Sequence, residues 1–334
     1  MKTSRLLQEI TRFESELLSG RGLPAELALA LGELDGPGLW ALLPLTERLR
    51  RRFCGPQMAL CAIVNAKSGR CPEDCAFCAQ SSSYNTGVAT FPLLPVAELL
   101  ERAREAHGWG VANFSVVTSG TAIQDPAEQQ QVAAMLSGIA ELGIAPCASL
   151  GFLDDAACAR YRVAGLRRYH HNLETARSFF PEICTSHAYD EAVATVERAR
   201  RAGFQVCSGG ILGLGESWPQ RVELAFELNR LEVDSIPLNF LVPVSGTPLA
   251  EAPGLEPFAA LKALMMFRLV NPTRMIRICG GRQRAFGDFQ GVLPAAGASG
   301  LMVGNYLTTK GRQWADDERL LRHWQALQPE GEDV

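Results

Sequence analysis

Cys71, Cys75 and Cys78 stand in the run Asn65-Ala-Lys-Ser-Gly-Arg-Cys-Pro-Glu-Asp-Cys-Ala-Phe-Cys-Ala-Gln, a C-x3-C-x2-C spacing. Three thiolates this close in a loop can wrap one [4Fe–4S] cubane. Three anchors leave its fourth iron open to a small molecule. That open position is what separates a catalytic cluster from an electron carrier. A structural zinc site wants four closed ligands, and the loop holds no fourth Cys or His. Zinc would therefore need a ligand from elsewhere in the chain.

The chain carries ten cysteines in 334 residues, too sparse for a disulfide scaffold. In a reducing compartment such cysteines point to metal binding or catalysis. Cys147 and Cys207, like the three loop cysteines, fall beside glycine-rich or turn-like segments. Cys54, Cys61 and Cys158 sit among apolar residues, where small buried fillers are expected.

The elements that must position these groups begin near Leu60, where short apolar runs start to alternate with longer amphipathic stretches. Strands are expected at Leu60–Ala66, Asn113–Val117, Ala145–Leu150, Arg167–His170, Gln205–Gly209, Ser235–Asn239, Met275–Ile278 and Gly300–Val303. Helices are expected at Val96–His107, Pro126–Glu141, Asp154–Val163, Tyr189–Ala202, Glu216–Arg230 and Pro257–Val270. In Tyr189–Ala202 the period is plain, with Ala192, Val193, Val196 and Ala199 at helical spacing and charges opposite. Eight strands with helical crossovers over roughly 250 residues are the rhythm of an α/β (β/α)8 TIM-type barrel. An open doubly wound sheet has the same local pattern. Residues 1–55 read as an N-terminal helical extension packed on the barrel, 56–327 as the barrel, and 328–334 as a polar C-terminal tail.

The composition, 47% hydrophobic and 20% charged, suffices for a large buried core. A formal net charge of −4 gives no electrostatic reason to expect nucleic acid or an anionic membrane as partner. There is no apolar run of ~18 residues to span a bilayer. The N-terminus lacks a secretory pattern, so the expected location is cytoplasmic.

The stretch from Leu60 to Ser81 closely resembles the biotin synthase family of radical S-adenosylmethionine enzymes. Collinear matches continue through His171-Asn-Leu-Glu-Thr175, Val206-Cys-Ser-Gly-Gly-Ile211, Gly213-Leu-Gly-Glu216, Pro237-Leu-Asn-Phe-Leu-Val242, Gly246-Thr-Pro-Leu249 and Leu307-Thr-Thr309. The resemblance implies that the three-cysteine cluster chelates S-adenosylmethionine, whose reductive cleavage releases a 5′-deoxyadenosyl radical. That radical takes hydrogen from two carbons of dethiobiotin, and an auxiliary Fe–S cluster deeper in the barrel, usually [2Fe–2S], donates sulfur. The cofactors carry this chemistry, so the protein's task is to position them and exclude water.

The same resemblance assigns Asn172 and Glu174 to S-adenosylmethionine, Asn239 to the substrate's ureido ring, and Thr308 and Thr309 to its carboxylate. Ser119-Gly120 and the Gly209-Gly210 run look like backbone that must approach a ligand closely. A reductant such as flavodoxin or ferredoxin and a homodimer are also implied.

The chain departs from the family's pattern at the auxiliary cluster, usually held by three cysteines and an arginine. Cys147, Cys207 and Arg277 match, but the remaining position is Ser115, and serine is a poorer iron ligand than thiolate. Cys279 lies two residues beyond Arg277 and on the same face if the strand continues. The expected set is therefore Cys147, Cys207 and Cys279 with Ser115 or Arg277 nearby, and a nuclearity that can differ from [2Fe–2S]. Cys184 is a weaker candidate. His170 replaces the usual Asn, and Ala192 replaces an Arg able to meet the S-adenosylmethionine carboxylate. Two alternatives stay open: a hydrogenase-maturase-type relative acting on another substrate, and a non-catalytic Fe–S or zinc-binding protein.

Overall fold

The computed structural model describes residues 3–326. The expected tail at 328–334 lies outside the described residues. Four helices lead the chain: α1 (Thr3–Arg12), α2 (Glu14–Leu18), α3 (Ala25–Ala30) and α4 (Gly36–Cys54). The Asp35 side chain starts α4 by accepting the Gly38 N–H at 2.8 Å.

From Ala59 the chain alternates strand and helix. The order is β1 (Ala59–Lys67), α5 (Val96–Gly108), β2 (Asn113–Thr118), α6 (Pro126–Glu141), β3 (Ala145–Ser149), α7 (Asp155–Val163), β4 (Arg168–His170) and α8 (Tyr189–Arg201). There follow β5 (Gln205–Cys207), β6 (Gly210–Leu212), α9 (Trp218–Arg230), β7 (Ser235–Phe240), α10 (Pro257–Val270), β8 (Met275–Ile278), α11 (Arg282–Phe286), β9 (Gly300–Met302) and α12 (Trp314–Ala326). All pairings between strands are parallel, and β5 also meets β7, which closes the sheet. The architecture is the (β/α)8 barrel, ringed by helices.

One expected strand is broken. β5 and β6 are two halves of a single stave, both paired to β7, through Cys207 with Ser235 and Gly210 with Leu238. Ser208 and Gly209 interrupt it because Gly209 lies against Pro237: a Cβ there would sit 2.0 Å from the Pro237 carbonyl oxygen. Helix α9 starts at Trp218, two residues later than its pattern suggested, with Ser217 and Gln220 forming its capping box.

Side chains alternate on β1, where Ala62, Val64 and Ala66 bury against helices. Cys61, Ile63, Asn65 and Lys67 take the opposite, lumen face. Helix α10 buries every residue from Leu264 to Val270. A helix apolar all round must be covered all round. α4, α9 and α11 pack against it, and Leu23 N donates to Leu269 O at 2.8 Å. Arg268, fully buried there, is satisfied by the carbonyls of Gly297, Asn271, Pro272 and Arg274.

Candidate active site

The C-terminal mouth of a parallel barrel is where loops can gather reacting groups around a fixed frame. The three-cysteine loop follows β1 at that mouth. Its backbone folds on itself, with Cys78 N donating to Cys75 O at 2.9 Å and Cys71 N to Gln80 O at 3.0 Å. Ser119 Oγ donates to Gly69 O at 2.7 Å, so this hydroxyl is spent on the loop backbone. Burial and neighbouring acids push Cys78 up to about 11. A soft metal would draw these protons off, because thiolate is the ligand form.

The segment before α8 braces the loop. The Asp74 carboxylate accepts the N–H groups of Thr185 at 2.9 Å and Ser186 at 3.0 Å. Glu73 takes Thr121 Oγ1 at 2.7 Å and lies 2.7 Å from His187 Nδ1. Cys184 belongs to this brace, with Sγ 3.8 Å from Cys75 Sγ and 3.3 Å from His187 Nδ1. It stands beside the cluster loop rather than in the barrel interior, which removes it from the auxiliary set considered above.

Below the loop opens a cavity of about 400 Å³, lined by Cys71, Cys78, Gly120, Asn172, Glu174, Asn239, Thr308 and Thr309. Glu174 holds a positive φ of 64°, a conformation that costs a non-glycine residue about 1–3 kcal/mol and persists only where its surroundings enforce it. Here the Ile211 N–H donates to Glu174 O at 2.8 Å. Burial raises the Glu174 carboxyl to about 7. Asn172 bridges, donating from Nδ2 to Glu174 Oε2 at 3.3 Å and accepting the Gly209 N–H at Oδ1 at 3.2 Å. Asn239 uses Oδ1 to accept the Gly280 N–H at 3.0 Å and Nδ2 to donate to Gly210 O at 3.3 Å. His170 also lines the cavity, and burial keeps it neutral with a value lowered to about 4. Ala192 is buried in α8, and no cation replaces it from that position.

The floor of the same cavity is lined by Cys61, Ser115, Cys147, Arg168, Cys207, Arg277 and Cys279. Strand register sets Ser115 beside Cys147 and opposite Ile63. The Ser115 hydroxyl is buried with no hydrogen-bond partner, an orphan that a polar ligand in the lumen would satisfy. Arg277 donates from Nε to Ser235 Oγ at 3.1 Å and is drawn electrostatically to Cys61, Cys207, Cys279 and Cys147. Cys279 shares Arg277's face, as the spacing required.

Cys61 is the residue the sequence reading missed. It was expected to fill a hydrophobic gap, yet it faces the lumen beside Cys279, and its Sγ donates to Leu301 O at 3.8 Å. The neighbouring Cys279 thiol, with help from Arg277 and Arg168, pulls Cys61 down to about 6. Cys147, whose Sγ donates to Asn113 Oδ1 at 3.8 Å, is pushed up to about 12 by burial. Four thiols and two guanidiniums around one enclosed floor fit a polynuclear iron–sulfur group better than isolated fillers do.

A barrel with three convergent thiols at its mouth defines a class, and residues 66–228 match the sequence model of the radical SAM superfamily. Residues 237–326 match the biotin and thiamin synthesis associated domain. The biotin synthase of Trichlorobacter lovleyi is 51% identical over 313 residues, covering 93% of this chain and 94% of that protein. That of Pelotomaculum thermopropionicum is 50% identical, covering 92% and 95%. The chain belongs to the biotin synthase family. Solved structures of methylornithine synthase (TM-score 0.76, 18% identity, 92% of this chain and 99% of that one) and of the FeFe-hydrogenase maturase from Carboxydothermus hydrogenoformans (0.78, 15%, 96% and 81%) share the fold.

Proposed function

We propose that this chain is a biotin synthase, inserting sulfur into dethiobiotin. The observation that carries the reading is one cavity lined by Cys71 and Cys78 of the cluster loop, by four thiols at its floor, and by the Asn172–Glu174 pair. The mouth thiols Cys71, Cys75 and Cys78 would hold a [4Fe–4S] cluster. Bound together there, cluster and S-adenosylmethionine would supply one-electron cleavage of the sulfonium into methionine and a 5′-deoxyadenosyl radical.

What the chain's own residues do follows from their positions. Glu174 can accept both ribose hydroxyls, and Asn172 fixes its carboxylate. Asn239, held at both amide ends by backbone, presents a rigid polar edge to the substrate ring. Thr308 and Thr309 can donate to the substrate carboxylate from the segment after β9. The loop, its brace and the buried walls exclude water from a radical that would otherwise be quenched. At the floor, Cys61, Cys147, Cys207 and Cys279 would hold the auxiliary cluster, with Arg277 and Ser115 adjoining. A four-thiolate set supports a nuclearity other than [2Fe–2S].

The N-terminal helices bury their apolar faces in the same core as the barrel, which supports residues 1–55 as an extension of one folding unit. No helix among the described residues is long and apolar enough to cross a membrane. A cytoplasmic setting, a flavodoxin or ferredoxin reductant and a homodimer complete the reading, resting on family membership.

Anaerobic incubation of reconstituted protein with reductant, S-adenosylmethionine and dethiobiotin tests it by mass spectrometry. Biotin and 5′-deoxyadenosine are expected together. 5′-Deoxyadenosine without a thiolated product would overturn the substrate and leave only the radical class.

A further inference from the structure

Arg277 is not the only guanidinium on the floor. Arg168, the first residue of β4, lines the same cavity, and its strand pairs it with Cys147 on one side and Gln205 on the other. Nη1 donates to Asn113 Oδ1 at 2.6 Å and Nη2 to Gln205 Oε1 at 2.8 Å. Both acceptors are neutral amides, and Arg168 forms no ion pair among the described residues. Its charge is thus held in place but not balanced. The Nε atom is sheltered from solvent and has no hydrogen-bond partner. A buried guanidinium N–H left unpaired is costly unless something in the lumen accepts it.

The thiols supply the missing anion. Arg168 bears electrostatically on Cys61, Cys147 and Cys207, three of the four thiols that Arg277 faces. A cluster held by four thiolates carries more negative charge than one held by three thiolates and an arginine. Placing that charge on an enclosed floor needs more than one cation. We infer that Arg168 is the second cation of the auxiliary iron–sulfur site, clamped by Asn113 and Gln205 so that its Nε–H points at the thiolate-bound group. The inference rests on the auxiliary cluster proposed above. Hydrogen bonds and charge near the sulfurs set the potential of such a group. Loss of the positive charge disfavours the reduced, more negative state.

The test uses full-length protein with Cys71, Cys75 and Cys78 all changed to Ala, so that bound iron reports the floor alone. R168M, R168Q and R168K are compared with the parent carrying Arg168. Iron and sulfide content, visible and Mössbauer spectra and a redox titration are read, with far-UV circular dichroism checking the fold. In R168M the reduction equilibrium is expected to shift at least tenfold toward the oxidised state, equal to 59 mV or more for one electron, or iron to fall severalfold. R168K, keeping the charge, recovers most of the potential. R168Q, which can still bond Asn113, serves if R168M does not fold. Unchanged iron, spectrum and potential in the uncharged variants overturn the role of Arg168 while leaving the cluster standing. A parent that binds no iron overturns the auxiliary cluster and this inference with it.

Discussion

The side chains of Cys61 on β1 and Cys279, just past β8, meet on one cavity floor although β9 lies between their strands. Only side chains that both point into the lumen can meet in this way. If they ligate the auxiliary cluster, C61S and C279S each lose its iron while keeping the [4Fe–4S] site. Biotin formation is expected to fall beyond the about 10–100-fold seen when a mere outer partner of a metal ligand is removed. Reductive cleavage of S-adenosylmethionine persists. Iron analysis with Mössbauer spectroscopy checks this, and a full auxiliary iron load in C61S would return Cys61 to the fillers.

Glu174 ionises near 7 because burial disfavours its charge. Since the folded value lies above the ordinary one, the folded state holds its proton more tightly, and this residue's stability contribution declines as pH rises from about 4.5 to 7. Nucleotide binding has the opposite slope, because the carboxylate accepts the ribose hydroxyls better than the acid. Affinity for S-adenosylmethionine is expected to rise about tenfold from pH 6 to pH 8. E174Q should bind more weakly and without that slope. Equilibrium binding across the range decides it.

Gly210 sits under the strained Glu174. A Cβ at this position would lie 2.4 Å from the Glu174 carbonyl oxygen, so one backbone must move. G210A is expected to destabilise the fold by about 1–3 kcal/mol and to weaken S-adenosylmethionine binding, with iron content unchanged. Thermal unfolding and iron analysis separate the two effects.

Asp74 ties the cluster loop to the Thr185–Ser186 backbone, and its carboxylate is held well below the usual range by those bonds against the cost of burial. D74A removes the acceptor of two N–H groups on an exposed segment, a loss of about 1–3 kcal/mol. It should slow [4Fe–4S] reconstitution at Cys71, Cys75 and Cys78 without touching the floor. Rates of absorbance growth during reconstitution measure it, and wild-type rates would show the brace to be dispensable.

Much of this was legible from composition and period. Alternation of apolar runs and amphipathic stretches sufficed for the barrel because each stave must bury one face against a helix. The mouth thiols were legible because local spacing alone defines them. Cys61 was not, since both faces of a barrel strand read as apolar and only pairing register discloses which looks inward. Cys184 misled for a related reason: loop residues carry no periodicity, so nothing in the sequence located it beside Cys75. The break at Ser208–Gly209 depends on a close approach to Pro237, a contact far away in the chain.

The floor is laced by Arg168 with Asn113 and Gln205, and by Arg277 with Ser235 and Ala59. If traffic to it shares the upper end with nucleotide and substrate, all three compete for one route. A sulfur donor consumed in the depths would then be replenished only after both spent molecules had left. Repair then competes with occupancy, and saturating concentrations of the reactants would prolong the idle interval after each round rather than shorten it.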